Sequence, residues 1–81
     1  MMKPRDYQEA LGQAIRERRE HLEMSREKLG RIVGRDTDYI TSVENGDYAE
    51  LGLHEMLLIS RFLNVRLSAL FAIVEFRLFD D

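Results

Sequence analysis

The sequence predicts an all-α fold of five helices carrying a C-terminal apolar extension. Three observations point there. Apolar residues recur at helical spacing in successive windows, beginning with Tyr7, Leu11, Ile15 and Leu22. Start and stop residues bracket those windows: Ser25 and Asp36 as N-caps, Gly34 and Asn45-Gly46 as terminators. The single proline, Pro4, precedes the first helix, and strand-like alternation is weak until the last ten residues.

The first helix is expected from about Asp6 to His21. Asp6 is the expected N-cap, and Glu9 three residues on completes a capping-box pair. The second follows Ser25 and runs to Val33, with Leu29, Ile32 and Val33 inward and Gly34 as its left-handed stop. Gly30 lies inside that helix, where glycine costs about 1 kcal/mol against alanine. Close approach by the third helix would explain it. The third helix follows Asp36 and ends at Glu44, with Ile40 and Val43 in the core. The fourth spans about Leu53 to Leu63, burying Met56, Ile59, Ser60 and Leu63, and Asn64 suits a left-handed cap. From Arg66 onward two patterns compete. Leu67, Leu70, Phe71, Val74 and Leu78 fit a helical stripe, whereas Val74, Phe76 and Leu78 alternate with Glu75 and Arg77 as in a strand. The expectation is a short helix to about Phe71, an extended segment from about Ile73 to Phe79, and a frayed Asp80-Asp81.

Eighty-one residues bound the chain to one domain with a single modest core, divided into a bundle over 6–71 and an extension over 72–81. There is no cysteine, which excludes disulfides, zinc-finger ligation and thiol chemistry. His21 and His54 have no partners at metal-ligand spacing and read as surface helix residues, so no metal is expected. No phosphate-cradling glycine loop, His-Glu-x-x-His or nucleophile signature occurs, so neither an enzyme nor a bound cofactor is expected. The N-terminal residues lack a secretory apolar stretch, and the longest nearly apolar run, Leu67 to Val74, is too short to span a bilayer. A cytoplasmic protein without membrane contact is the expectation.

Residues Leu29 to Gly46 read as two short helices joined at Gly34, the sequence form of a helix-turn-helix. The wider frame is Leu11, Ile15-Arg16, Arg19, Met24-Ser25, Leu29-Gly30, Val33-Gly34, Ile40, Val43-Glu44-Asn45-Gly46, Ile59, Leu63-Asn64-Val65 and Leu70. With this frame, Leu11 to Phe71 resembles the lambda-repressor-like helix-turn-helix family, also called Cro/CI or XRE. The resemblance covers roughly three quarters of the chain. It implies a five-helix bundle, dimeric binding to a pseudo-palindromic DNA operator, and control of transcription. It also implies roles for particular residues. Arg26 stands where the family usually has a phosphate-contacting glutamine. Thr37, Asp38 and Ser42 fall on base-reading positions, with Tyr39 and Thr41 flanking them, and Arg35 adds positive charge nearby. Arg19 and Glu44 match a structural salt bridge between the first helix and the end of the third. Each site residue also has a plainer reading: Arg26 as a solvated helix residue, Thr37, Asp38 and Ser42 as helix-start residues, and Tyr39 as a packing residue.

Charge sets this chain apart. From Arg35 to Glu50 there is one positive residue, Arg35, against Asp36, Asp38, Glu44, Asp47 and Glu50, and the whole chain carries −3. Phosphate contacts supply most non-specific DNA affinity, so an acidic recognition helix predicts weak, salt-sensitive binding or a different partner. Apolar surface is also in excess. Leu58, Phe62, Ile73, Phe76 and Phe79 exceed what one small core can hide and form the expected homodimer interface, through paired strands if the last segment is extended. A cover formed by the chain's own C-terminal segment is the competing reading for Leu58 and Phe62. Two functions therefore stand side by side. One is a sequence-specific transcriptional regulator, a repressor acting as a homodimer on double-stranded DNA. The other is a protein-interaction module of the same fold, meeting a protein partner through its acidic third helix.

Overall fold

In the structure, a computed structural model, five helices follow in order: α1 Pro4–His21, α2 Arg26–Val33, α3 Thr37–Glu44, α4 Leu53–Phe62 and α5 Leu67–Phe79. The described residues are 4–47 and 51–79; Tyr48-Ala49-Glu50 and Asp80-Asp81, whose fraying was an expectation, lie outside them.

Helix α1 opens earlier than its periodicity suggests, because proline is favoured at a first helical position, where an N–H would have no partner. Asp6 is consequently not the N-cap but a first-turn residue, with its charge at the positive end of the helix. Glu9 makes no capping box; it pairs with Arg5 at 2.7 Å. The helix closes through Glu23, which adopts a left-handed φ of 56°. Met24 N–H then donates to the Arg19 carbonyl at 3.1 Å.

The next two helices obey their caps. Ser25 accepts from Lys28 N–H at 3.0 Å and Asp36 accepts from Tyr39 N–H at 2.8 Å. Gly34, at φ 75°, lets Arg35 N–H reach back to the Gly30 carbonyl at 2.8 Å. Gly30 is close-packed, though not against a helix: an added Cβ would stand 2.8 Å from the Arg35 carbonyl, in the turn between α2 and α3. Gly12 is tighter still. Its missing Cβ would meet the Val43 and Glu44 carbonyls at 2.5 and 2.6 Å, so α1 crosses the end of α3 backbone to backbone.

Helix α4 ends at Phe62, with Leu63 as its cap and Asn64 left-handed at φ 54°. Its terminal carbonyls are satisfied from a distance: Arg18 donates from Nε to Leu63 O at 2.8 Å and from Nη2 to Asn64 O at 3.1 Å.

The C-terminal segment overturns the expectation of an extended stretch over 73–79. Helix α5 runs unbroken through Phe79, across the boundary expected at 71–72, and no strand occurs among the described residues. The helical stripe wins because Leu70 and Val74 are buried and Leu67 and Leu78 pack against the core on the same face. An ion pair between Arg77 and Glu17 ties its last turn to α1. A helix satisfies its own backbone, whereas a lone edge strand would leave a row of groups unpaired.

One core joins all five helices: Leu11, Ala14, Ile15, Leu29, Val33, Tyr39, Ile40, Val43, Ile59, Leu63, Leu70 and Val74. Tyr7 and Leu22, expected inside, are 41% and 37% exposed, since α1 offers them only the margin of the core. No single helix among the described residues is long and apolar enough to cross a membrane.

Candidate nucleic-acid interface

The α2–turn–α3 unit is held to α1 by one buried carboxylate. The Glu44 side chain is fully enclosed and accepts from two arginines. Arg19 donates from Nε to Oε2 at 2.6 Å and from Nη2 to Oε1 at 3.1 Å, while its Nη1 donates to the Met24 carbonyl at 2.8 Å. Arg26 donates from Nε to Oε1 at 2.9 Å. The hydrogen bonds to Glu44 hold the Arg19 guanidinium pKa above its ordinary value, against the opposing effect of burial. A carboxylate facing two guanidiniums leaves the cluster net positive.

Arg26 is therefore not a freely solvated residue. Its Nε is committed to Glu44, and its side chain remains one-third exposed. It shares a shallow concavity with Arg16, Ser25 and Thr37, drawn from α1, α2 and α3, with Glu20 and Glu27 on the same wall. Arg16 is itself paired to Glu20 at 3.3 Å.

The exposed face of α3 is short. Asp38 is exposed, and Thr37, Thr41 and Ser42 are half-buried. Thr41 turns its hydroxyl back to the Thr37 carbonyl at 3.1 Å, which makes it a helix-stabilising contact in this state. Tyr39, read both as a flank of the DNA contact and as a packing residue, is a core residue at 5% exposure, one turn before the buried Val43. Its ring supports Arg35, whose guanidinium lies 3.9 Å from the ring centroid. Arg35, Asp38 and Ser42 line a second concavity at the mouth of the turn. Around it Asp36, Asp38 and Asp47 are exposed, so the surface is mixed, with net negative charge. Among the described residues no group of three or more His, Asp or Glu could hold a metal ion.

The residues expected at a dimer interface differ in exposure. Leu58 is half-buried and packs against the core, so the chain's own cover accounts for much of it. Phe62 stays exposed on α4, and Ile73, Phe76 and Phe79 are exposed on α5, with Phe76 the most open at 64%. Sequence reasoning missed Leu53, Leu57 and Phe71, which are exposed as well. It also missed the Arg26–Glu44 bridge, which joins residues 18 positions apart and leaves no local signal.

The helix-turn-helix family model matches residues 15–70, spanning the salt-bridge frame and both concavities. Among solved structures, the hydroxypropylphosphonic acid epoxidase from S. wedmorenis superposes with a TM-score of 0.72 at 25% identity. The match covers 78% of this chain and 33% of that one, so this chain spans about a third of the epoxidase's length. No curated protein matches the chain.

Proposed function

Given that the chain belongs to the lambda-repressor-like helix-turn-helix family, a family of DNA-binding domains, we propose that it is a cytoplasmic transcriptional repressor. It acts as a homodimer on a pseudo-palindromic operator and excludes other proteins from a promoter. Helix α3 enters the major groove, and two copies meet half-sites about one helical turn apart. The observation that carries this reading is the triad of Arg19, Glu44 and Arg26. It joins α1, α2 and α3 and leaves Arg26 one-third exposed, at the position where the family resemblance implies a phosphate contact. Thr37 and Ser42 supply hydroxyls to bases or phosphates, Asp38 accepts from a cytosine amino group, and Arg35 adds a stacked cation at the mouth of the turn. The outer face of α5, with Phe62, supplies the dimer contact in place of paired strands.

Affinity selection on fragmented genomic DNA, at low and at physiological salt, tests this. One inverted-repeat sequence retained at physiological salt is the expected result. Capture only at low salt, with no shared sequence, would overturn it.

A second reading draws on the acidic surface: the fold is kept as a protein-interaction module and exposed Asp36, Asp38 and Asp47 meet a basic partner. Asp38→Lys separates the two. A regulator held back by repulsion binds DNA more tightly with lysine there, whereas a basic protein partner binds less tightly.

A further inference from the structure

Away from α2 and α3, the outer side of α4 and the turn into α5 enclose an open groove. The two helices meet there at 96°. Its apolar part is Leu57, Leu58 and Val65; its polar part includes Arg61, Arg66 and His54, and among the described residues no acidic one lines it. This is a concentration of positive charge on a chain whose net charge is −3. Arg61 and Arg66 are exposed and take part in no ion pair among the described residues. Arg61 suits the last turn of α4, where a cation complements the helix dipole. Arg66 has no such explanation. It immediately precedes α5, where its carbonyl accepts the first helical hydrogen bonds, from Ala69 at 2.9 Å and Leu70 at 3.1 Å. That position favours Ser, Thr, Asp or Asn and disfavours positive charge. A residue set against its local preference points to use elsewhere.

We propose that this groove is a docking site for a short acidic, amphipathic segment of another protein. Its large apolar side chains rest on Leu57, Leu58 and Val65, and its carboxylates pair with Arg61 and Arg66. Charge decides the occupant. A second copy with this groove on the two-fold axis would set each arginine pair against its own copy, with no carboxylate in the groove to neutralise it. An anionic bilayer holds a protein through clusters of several basic residues, which two arginines on an acidic chain do not supply. Because no α2 or α3 residue lines the groove, the partner can bind while α3 is on DNA, and the proposal stands whether or not α3 binds DNA.

A display library of random peptides panned on the intact protein tests it. Enriched peptides should combine Asp or Glu with large apolar residues, and their binding should shift amide resonances of Leu57, Leu58, Val65 and Arg66. The double variant Arg61→Glu, Arg66→Glu should lower their affinity roughly ten- to a hundredfold, as expected for losing two exposed ion pairs and putting like charges in their place. Both residues are exposed, and the loss at the end of α4 is offset by the gain at the start of α5, so its melting temperature and helical circular dichroism should stay close to wild-type values. The proposal falls if no peptide is enriched, if enriched peptides lack acidic residues, or if shifts map to α3 or the outer face of α5. It falls equally if the double variant binds as well as wild type, or changes the oligomeric state instead.

Discussion

At the scale of single residues, Glu44 has the greatest leverage. Its carboxylate is enclosed and answers two guanidiniums, so removing it leaves two partly buried cations facing each other. Breaking a buried pair from one side costs about 3–5 kcal/mol, and Glu44→Ala should lower urea-unfolding stability by that order. The N-cap at Asp36 has a smaller effect: Asp36→Ala should cost about 1 kcal/mol in the same measurement, through loss of the bond to Tyr39 N–H. Arg26 is a different case, because its role splits between the triad and the surface. If it meets a phosphate, Arg26→Ala should weaken binding to all DNA sequences alike and reduce the log–log salt slope by about 1. An unchanged slope would assign Arg26 to the triad alone.

At the scale of elements, the contact of α1 with α3 depends on an absent side chain. Alanine is a better helix former than glycine by about 1 kcal/mol, yet Gly12→Ala should destabilise the protein. The added methyl would have to displace two backbone carbonyls that now sit 2.5 and 2.6 Å from its place. Thermal melting decides the sign; a raised melting temperature would mean that α1 can move outward freely. Helix α5 adds a pH-dependent ion pair with the C-terminal half of α1. The Arg77 hydrogen bond holds the Glu17 carboxyl below its ordinary pKa of 4.5. A depressed carboxylate adds stability that is fully present above the unfolded-state pKa and is lost as pH falls through the folded-state value. The stability difference between wild type and Arg77→Ala should therefore shrink toward zero on acidification. Both side chains are partly solvated, which keeps the effect small.

At the scale of the whole molecule, the outer face of α5 leaves a helix apolar on nearly every side. Phe76 and Phe79 are more than half exposed, and Ile73 lies between them and the core margin. A helix of that kind is ordinarily covered. Phe76→Asp should leave the fold intact, because the residue contributes little to the core, and should convert a dimer to a monomer in light scattering behind size exclusion. A wild-type chain that is already monomeric at high concentration would move the dimer contact off α5.

Much of the architecture is legible in local chemistry. Ser25, Gly34, Asp36, Asn45-Gly46 and Asn64 mark helix ends because caps and left-handed residues act over three or four positions. The inward positions Leu11, Ile15, Leu29, Ile40, Val43, Ile59 and Leu63 follow from periodicity, since burial repeats with the helix turn. The helix-turn-helix frame is legible for the same reasons, and with it the place of α3. What stayed hidden depends on residues brought together from far apart in the chain. Gly12 looks like any glycine until α3 crosses it, and Arg18 looks solvated until the end of α4 arrives 45 residues later. Arg26 sits at a position the motif assigns to DNA, but Glu44, 18 positions away, claims its Nε. The segment from Ile73 to Phe79 carries both a helical and an alternating pattern. Its choice of helix rests on the surface of α1, against which Leu70, Val74 and Leu78 can pack together only when they share one helical face.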